Sequence, residues 1–400
     1  MMKENYDVIV IGAGPGGSST AGNLARKGFN VALFEKRQEI GSPKRCGEGL
    51  SVGSMKMIED NFGSKIPQRC IAQTIDGSIV YAPNGKEVIV DFGEDAGAVM
   101  ERKVFDKWLA MEAAKLGAYV QAKTYIKNLI IENGYVKGVK GEFEGDEFTA
   151  KAKVVVACDG VESKIARIAG LNTTNQLVNI DSGYQYEMAN LKMRDKHKIE
   201  LFFGHDIAER GYVWVFPKGD HIANVGVGVA MTDKTARYFL DKFIKEYPYT
   251  NVKDASIIEV NSGGIPVGGF LENMVSHGLV VVGDAAHQVN PIHGGGMKEA
   301  TIAGKIAADV IEKGIKQDNV SQEVLSEYNK LWWAERGQAL LRVQKLREVT
   351  EKLSDSDYND LAEHLTGEDC IELARGNKMG TLAKLLMKNP KLLTLAKHLV

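Results

Sequence analysis

The chain opens on a continuous apolar run, Tyr6–Ile11 (YDVIVI), the pattern of a parallel strand buried on both faces. A helical pattern runs from Gly16 to about Lys27 and stops at Gly28, and a second strand, Asn30–Phe34, ends in Glu35. Together they predict one βαβ unit. Residues 76–92 are rich in Gly, Val and Ile, with turn signals at Asp76-Gly77 and Asn84-Gly85, and predict a hairpin. Residues 101–117 predict a helix, with Phe105, Leu109 and Ala113 at helical spacing. Strands follow at about 118–131 and 135–150, then at Lys153–Ala157. The stretch 180–260 reads as mainly antiparallel β (QYEMANL, KIELFFG, GYVWVFP, IANVGVGVAM), with one helix at roughly Asp233–Tyr247. A buried strand, Leu279–Val282, leads through Gly283-Asp284 into an Ala-rich helix from about Gly295 to Lys313, and the pattern is helical from Ser321 onward.

The predicted fold class is α/β. A Rossmann-like nucleotide-binding domain is split over residues 1–75, 98–178 and 262–318. An antiparallel-sheet substrate domain comes from 76–97 and 179–261, and a helical region covers 319–400. A length of 400 residues agrees with more than one core. The apolar share of 44% and charged share of 26% are those of an ordinary globular protein, and the net charge of −2 gives no pull toward nucleic acid. Cys46, Cys70, Cys158 and Cys370 form no CxxC pair, so neither a metal site nor a dithiol motif is expected. The first strand begins too early to leave room for a signal peptide, and the apolar runs are too short for a membrane span, so a cytoplasmic protein is expected.

Gly12-Ala13-Gly14-Pro15-Gly16-Gly17 is a GxGxxG between a strand and a helix. Gly12 permits the tight turn, Gly14 a close approach of the backbone to a pyrophosphate, and Gly17 close helix–strand packing. The pyrophosphate would sit on the helix N-terminus beside Pro15 and Gly16, where unpaired N–H groups favour anions. Glu35 can accept hydrogen bonds from both ribose hydroxyls and would repel a 2′-phosphate. Taken alone, this motif serves NAD as well as FAD.

Two later motifs favour FAD. Asp159-Gly160, after the strand ending at Ala157, resembles the DG motif of the flavoprotein hydroxylase superfamily. The stretch Gly283-Asp284-Ala285-Ala286-His287, continued by Pro291 and Gly294-Gly295-Gly296-Met297, resembles that superfamily's second FAD motif. Asp284 can hold a ribityl hydroxyl. The helix start at Gly295, Gly296 and Met297 can present N–H groups to the flavin pyrimidine edge. His287 reads as structural rather than catalytic. The resemblance further implies cofactor contact by Arg102 and by the backbone near Ile126.

Two segments narrow the resemblance. Lys44-Arg45-Cys46-Gly47-Glu48-Gly49 contains a CGEG that is similar to the geranylgeranyl reductase family, whose archaeal branch includes the digeranylgeranylglycerophospholipid reductases. Tyr212-Val213-Trp214-Val215-Phe216-Pro217 resembles the same family's YxWxFP. The alternation of Tyr212, Trp214 and Phe216 puts them on one face of a strand, as one wall of an apolar tunnel or as a sheet core. The family implies saturation of isoprenoid C=C bonds by reduced FAD in lipid precursors, with Arg45, Cys46, Gly47 and Gly49 beside the flavin. Cys46 is the candidate catalytic residue, positioning or protonating the alkene, with Tyr212 or a bound water as alternatives for the proton.

The competing activity is that of an FAD-dependent aromatic hydroxylase or a related flavin halogenase, and a non-catalytic flavin-binding protein is the third reading. The electron donor, NAD(P)H or a ferredoxin-like protein, stays open. A geranylgeranyl chain gains about 16 kcal/mol of gross transfer energy on burial at about 0.8 kcal/mol per carbon, so it needs no strong polar anchor. A phosphate headgroup would seek bases such as Arg336, Arg342, Lys345, Arg347 and Arg375. Residues 375–400 hold one arginine and five lysines without an acid, and predict either packing on the protein body or peripheral contact with the inner face of the cell membrane.

Overall fold

The computed structural model describes residues 2–93, 96–247, 252–377 and 380. The first βαβ unit is β1 (Asn5–Ile11), α1 (Pro15–Arg26) and β2 (Val31–Phe34). Then come β3 (Gly49–Ser51), α2 (Val52–Phe62), β4 (Ile71–Ile75), β5 (Gly77–Tyr81), β6 (Glu87–Asp91) and β7 (Gly97–Met100). Helix α3 (Arg102–Lys115) precedes β8 (Tyr119–Gln121), β9 (Thr124–Glu132), β10 (Tyr135–Phe143), β11 (Asp146–Ala157) and α4 (Lys164–Ile168). Next are β12 (Ile180–Ala189), β13 (Lys198–Phe203), β14 (Tyr212–Pro217), β15 (Ile222–Val229), α5 (Ala236–Glu246) and β16 (Ser256–Pro266). Strands β17 (Val275–Ser276) and β18 (Leu279–Val281) lead to α6 (Met297–Lys316). The described chain closes with α7 (Gln322–Leu325), α8 (Glu327–Trp332), α9 (Gln338–Thr350), α10 (Asp355–His364) and α11 (Gly367–Ala374).

The first sheet runs β17-β18-β11-β1-β2-β8, with the β9–β10 hairpin added at β11. Its centre is parallel, and Val8, Ile9 and Val10 are fully buried, as their unbroken apolar run requires. Helix α1 buries Gly, Ser, Thr and Ala along residues 16–22, so it can lie close against α6. Ser19 donates to the Thr301 carbonyl at 2.9 Å, and Gly304 leaves no room for a side chain against the Gly16 carbonyl. This close contact brings the N-termini of α1 and α6 to one cavity.

The second sheet has the order β16-β12-β15-β14-β13-β5-β6. It departs from the antiparallel expectation at one seam, because β5 pairs with β13 in parallel. The path from β5 to β13 runs through β8–β11 of the first sheet, a long crossover that permits a parallel match which a hairpin forbids. Its two faces differ in kind. Val213, Val215, Val225 and Val227 pack with Phe202, Phe239, Leu240 and Phe243 of α5 and its surroundings into a second core. The alternate residues line the cavity instead.

Three further expectations needed correction. The run 135–150 is divided at Glu144-Gly145, both left-handed as a two-residue hairpin turn requires, and its second half merges with Lys153–Ala157 into β11. The α6 helix starts at Met297 rather than Gly295, since Gly294 is itself left-handed. The helical region is broken into α7–α11, with a π-helical turn at Trp333–Gly337 joining α8 to α9. No helix among the described residues is long and apolar enough to cross a membrane. Of the basic segment 375–400, only residues 375–377 and 380 are described, so the expected membrane contact lies almost wholly outside the described residues.

Candidate active site

A single cavity of about 1180 Å³ is bounded by the loops after β1, β2, β11 and β18, by one face of the second sheet, and by α9–α11. The glycine turn comes first. Gly12 has φ +100°, and a Cβ there would lie 2.2 Å from the Cys158 carbonyl oxygen. A Cβ on Gly17 would lie 1.8 Å from the Gly12 oxygen, whereas one on Gly14 would meet no protein atom within 4 Å. The turn is closed on the protein side and open toward the cavity. Pro15 starts α1, where a missing N–H costs nothing.

Glu35 lines the cavity and is aimed by two backbone donors, Ala13 N–H and Arg37 N–H, each at 3.0 Å. Two donors leave roughly half of a carboxylate's acceptor sites free. Asp159 accepts the Ile165 N–H through one oxygen at 2.9 Å, while its other oxygen is buried with no partner. Burial raises its pKa against the pull of those backbone donors and of Lys36. Beside it Gly160 opens onto free space. Asp284 stands 2.9 Å from where a Cβ on Gly296 would be, and burial raises its pKa while Arg102 opposes. Ile126 on β9 is buried in the wall, and Gly295, Gly296 and Met297 bring the α6 N-terminus to the cavity.

Arg102 is held more tightly than the sequence suggested. Its guanidinium forks onto Asp106 (2.8 and 2.7 Å) and lies against Cys46. Burial alone would lower its pKa, but Asp106 and Cys46 hold it above the usual value. That fork leaves only its remaining N–H groups to face the cavity.

The CGEG loop and the aromatic strand, far apart in sequence, are locked together. Trp214 donates to Gln185 at 2.9 Å, Gln185 donates to the Cys46 carbonyl at 3.1 Å, and the Cys46 sulfur accepts the Glu48 N–H at 3.1 Å. Gly47 and Gly49 lie under the Phe216 ring, where a Cβ would come within 3.1 and 3.0 Å of it. Tyr212, Trp214 and Phe216 all line the cavity, and Tyr212 donates to the His293 carbonyl at 3.0 Å. Arg45 packs over Gly263. His287 is buried with both ring nitrogens against backbone carbonyls of Gly269 and Thr173, a structural position.

Several functional residues escaped sequence reasoning. A buried charge cluster underlies the loop: Lys44 meets Glu48, Glu187 and Asn224, and Lys218 meets Glu48, Glu101 and Glu187. Glu48 also accepts the Arg102 N–H at 2.7 Å, which ties the loop to α3. Gly226 leaves room for Trp214, whose ring would sit 2.4 Å from a Cβ there. The alternating glycines of VGVGV signalled that close approach, but the partner ring was not readable. On the same sheet face, Asp181 lines the cavity beside Gly228 and the Trp214 ring, with one carboxyl oxygen buried and unpartnered. Burial pushes its pKa up to about 7; Glu351 adds to the rise, while Arg347 and Arg210 oppose it.

The proposed headgroup bases are mostly engaged elsewhere. Arg336 clamps Glu299 through two 2.7 Å bonds, Arg347 is buried on Asn179 and Glu351, and Arg375 pairs with Glu372. Of the five, Arg336 and Arg375 line the cavity. The four cysteines are free, and no group of three or more His, Cys, Asp or Glu among the described residues could hold a metal.

Known proteins resemble this chain over most or all of its length. Residues 179–265 match the family described as the geranylgeranyl reductase catalytic domain, and residues 10–44 match an NAD(P)-binding Rossmann-like domain. A digeranylgeranylglycerophospholipid reductase of Methanocaldococcus jannaschii is 42% identical over 100% of this chain and 99% of its own length. One of Methanocella arvoryzae is 41% identical over 98% of both. Among solved structures, a geranylgeranyl bacteriochlorophyll reductase-like protein of Thermoplasma acidophilum superposes with TM-score 0.89 at 34% identity, covering 99% of this chain and 100% of that one. A myxobacterial FAD-dependent chondrochloren halogenase superposes with TM-score 0.73 over 86% of this chain and 83% of its own, but at 21% identity this shows the shared fold alone.

Proposed function

The chain belongs to the digeranylgeranylglycerophospholipid reductase family, and on that premise we propose that it saturates C=C bonds of geranylgeranyl chains in archaeol-type lipid precursors, with FAD as its resident cofactor. The observation that carries this reading is the single cavity, which runs from the nucleotide-binding loops to an apolar wall of Val80, Val88, Leu201, Phe203, Leu361 and Leu365. At about 1180 Å³ it exceeds a pocket for one drug-sized ligand and suits a dinucleotide together with a hydrocarbon chain.

The residues present fit FAD. The space beside Gly14 and Gly160 and the unpartnered buried oxygen of Asp159 are features that the protein alone does not fill. In this reading Glu35 holds the adenosine ribose, with Ile126 beside the adenine, and Gly12–Gly17 hold the pyrophosphate. Asp159, Gly160 and Asp284 face the ribityl region, and the α6 N-terminus faces the flavin ring with Arg45 and Arg102 nearby. When bound and reduced, FAD supplies a hydride.

The chain's own contribution is positioning and exclusion of water. Trp214 and Phe216 pack on the CGEG loop as one rigid wall, so an alkene laid against that wall has few orientations. Cys46 lies at the end of that wall, with its thiol fixed by Glu48 and Arg102, and contacts the reacting alkene in this reading. Cys46→Ala is expected to retain the flavin, seen in its visible spectrum, and to lower turnover about 100-fold, the size of effect that a misplaced reacting group causes. Unchanged turnover would remove Cys46 from the chemistry.

The direct test is spectral. Dithionite-reduced protein mixed anaerobically with a digeranylgeranyl glycerophospholipid should return to the oxidised flavin spectrum, with saturated lipid found by mass spectrometry. Reoxidation by oxygen alone would replace the alkene-reductase reading with a hydroxylase-type one.

A further inference from the structure

Alkene saturation needs a proton as well as a hydride. At the CGEG loop the Cys46 thiol is pinned, its sulfur accepting the Glu48 N–H and lying against the Arg102 guanidinium. The Tyr212 hydroxyl donates to the His293 carbonyl, and burial makes it a weaker acid than usual. We propose that Asp181, on the cavity face of β12, is the carboxylic acid that protonates the alkene. This rests on the alkene-reductase reading above.

The geometry is that of a neutral acid. Asp181 follows the same two-residue alternation as Gly183 and Gln185, all of which line the cavity, whereas Ser182 lies on the opposite side of the strand. Its carboxyl and the Trp214 ring both come within 4 Å of where a Cβ on Gly228, the register partner of Tyr212, would be. No described group donates a hydrogen bond to it, and one of its oxygens is shut off from solvent without a partner. Although Asp181 is only half-buried at the cavity wall, ionisation would leave that enclosed oxygen without a donor to replace water, a cost that the protonated form reduces.

The charged and titratable groups that face it are Arg347 on α9, Glu351 just beyond α9, Arg210 between β13 and β14, and Tyr212 on β14. Arg347 pairs through Nε with Glu351 at 3.4 Å while its Nη1 is buried without a hydrogen bond, so a buried polar pair stands behind Asp181. In the reaction the Asp181 O–H bond breaks and a C–H bond forms at one alkene carbon. Reduced FAD, when bound, would supply the hydride and its two electrons for the C–H bond at the other carbon, and the π bond would be consumed. The Asp181 carboxylate then regains a proton from water.

The sign of the pH dependence follows. The acid holds its proton below its raised pKa of about 7 and loses it above, so the chemical step slows about tenfold per pH unit on the alkaline side. The experiment is anaerobic single-turnover reoxidation of the reduced, full-length flavoprotein by a digeranylgeranyl glycerophospholipid across pH, for wild type, Asp181→Asn and Asp181→Glu. Asp181→Asn is expected to slow reoxidation about 100-fold or more and to erase the alkaline fall, while Asp181→Glu keeps that fall. Lipid affinity, measured with the saturated product, should be unchanged in Asp181→Asn. An infrared titration of the oxidised protein should show a protonated-carboxyl band near neutral pH that Asp181→Asn lacks, independent of turnover.

Wild-type speed in Asp181→Asn, a surviving alkaline fall in that variant, or a rate loss matched by lost lipid affinity would each overturn the assignment while leaving the alkene reading intact. A wild-type protein that the lipid does not reoxidise would end both.

Discussion

Lys218→Met is expected to destabilise the protein by about 3–5 kcal/mol near neutral pH, toward the lower end, and to loosen the Cys46–Gly49 loop. The Lys218 side chain is 2% exposed, and its ammonium lies within 3.0 Å of Glu48, Glu101 and Glu187. The cluster sets two ammonium groups, Lys44 and Lys218, against those three carboxylates. Removing one ammonium leaves Lys44 alone with a surplus of negative charge. Glu48 has no access to water, so its share of that surplus is uncompensated; Glu101 is 38% exposed and softens the penalty.

The pH dependence distinguishes this cause from simple loss of packing. In the wild type, burial alone would raise the Glu187 pKa, but hydrogen bonding and charge from Lys44 and Lys218 hold it below the usual carboxylate range. That depressed carboxyl contributes stability above its unfolded pKa, and the contribution is lost as pH falls through the folded value. In Lys218→Met the support is reduced, and each proton taken up cancels part of the surplus. The gap between variant and wild type should therefore narrow as the solution is acidified through the carboxylate range. Urea unfolding followed by tryptophan fluorescence at several pH values measures this directly. Superimposable curves at neutral pH would show that the cluster is not a stabilising one, and a pH-independent gap would assign the loss to packing.

Gly17→Ala and Gly14→Ala are expected to part company. A Cβ on Gly17 would sit 1.8 Å from the Gly12 oxygen, which no packing tolerates, so α1 must shift away from β1. That helix is wedged on its other side against α6 through Ser19 and Gly304 and has nowhere to go. Overpacking of this kind costs about 1–3 kcal/mol or more, and the variant should hold no flavin. Gly14 has φ −75° and ψ −173°, which any residue adopts, and no protein atom lies near its missing Cβ. Gly14→Ala should fold with stability within about 0.5 kcal/mol of wild type. It should still weaken flavin affinity about tenfold or more, about 1.4 kcal/mol, because the methyl intrudes where the pyrophosphate approaches. Thermal unfolding with and without flavin, together with flavin retention on purification, separates the two. Wild-type affinity in Gly14→Ala would remove the pyrophosphate from that turn.

Much of this molecule is local and therefore legible along the chain. The β1 run, the GxGxxG turn, Glu35 at the end of β2 and the left-handed Gly12 all follow from a few neighbouring residues. The two-residue period of Tyr212, Trp214 and Phe216 places them on one face whatever surrounds the strand. The run 135–150 is not legible in this way, because one strand signal flows into the next and only the left-handed pair Glu144-Gly145 divides them.

What the sequence by itself determined is thus each element and the face each side chain takes: a nucleotide turn, a CGEG loop and an aromatic strand. What only the tertiary structure decided is which faces meet. The parallel match of β5 with β13, the chain of bonds from Trp214 through Gln185 to Cys46, and the room that Gly226 leaves for an indole all join residues distant in sequence. Lys44, Glu48, Asp181 and Lys218 look along the chain like any solvated charges. Their burial, and with it their mutual dependence and the neutral state assigned to Asp181, comes from the sheet laid across the loop, because the free energy of a charge is set by what replaces its water.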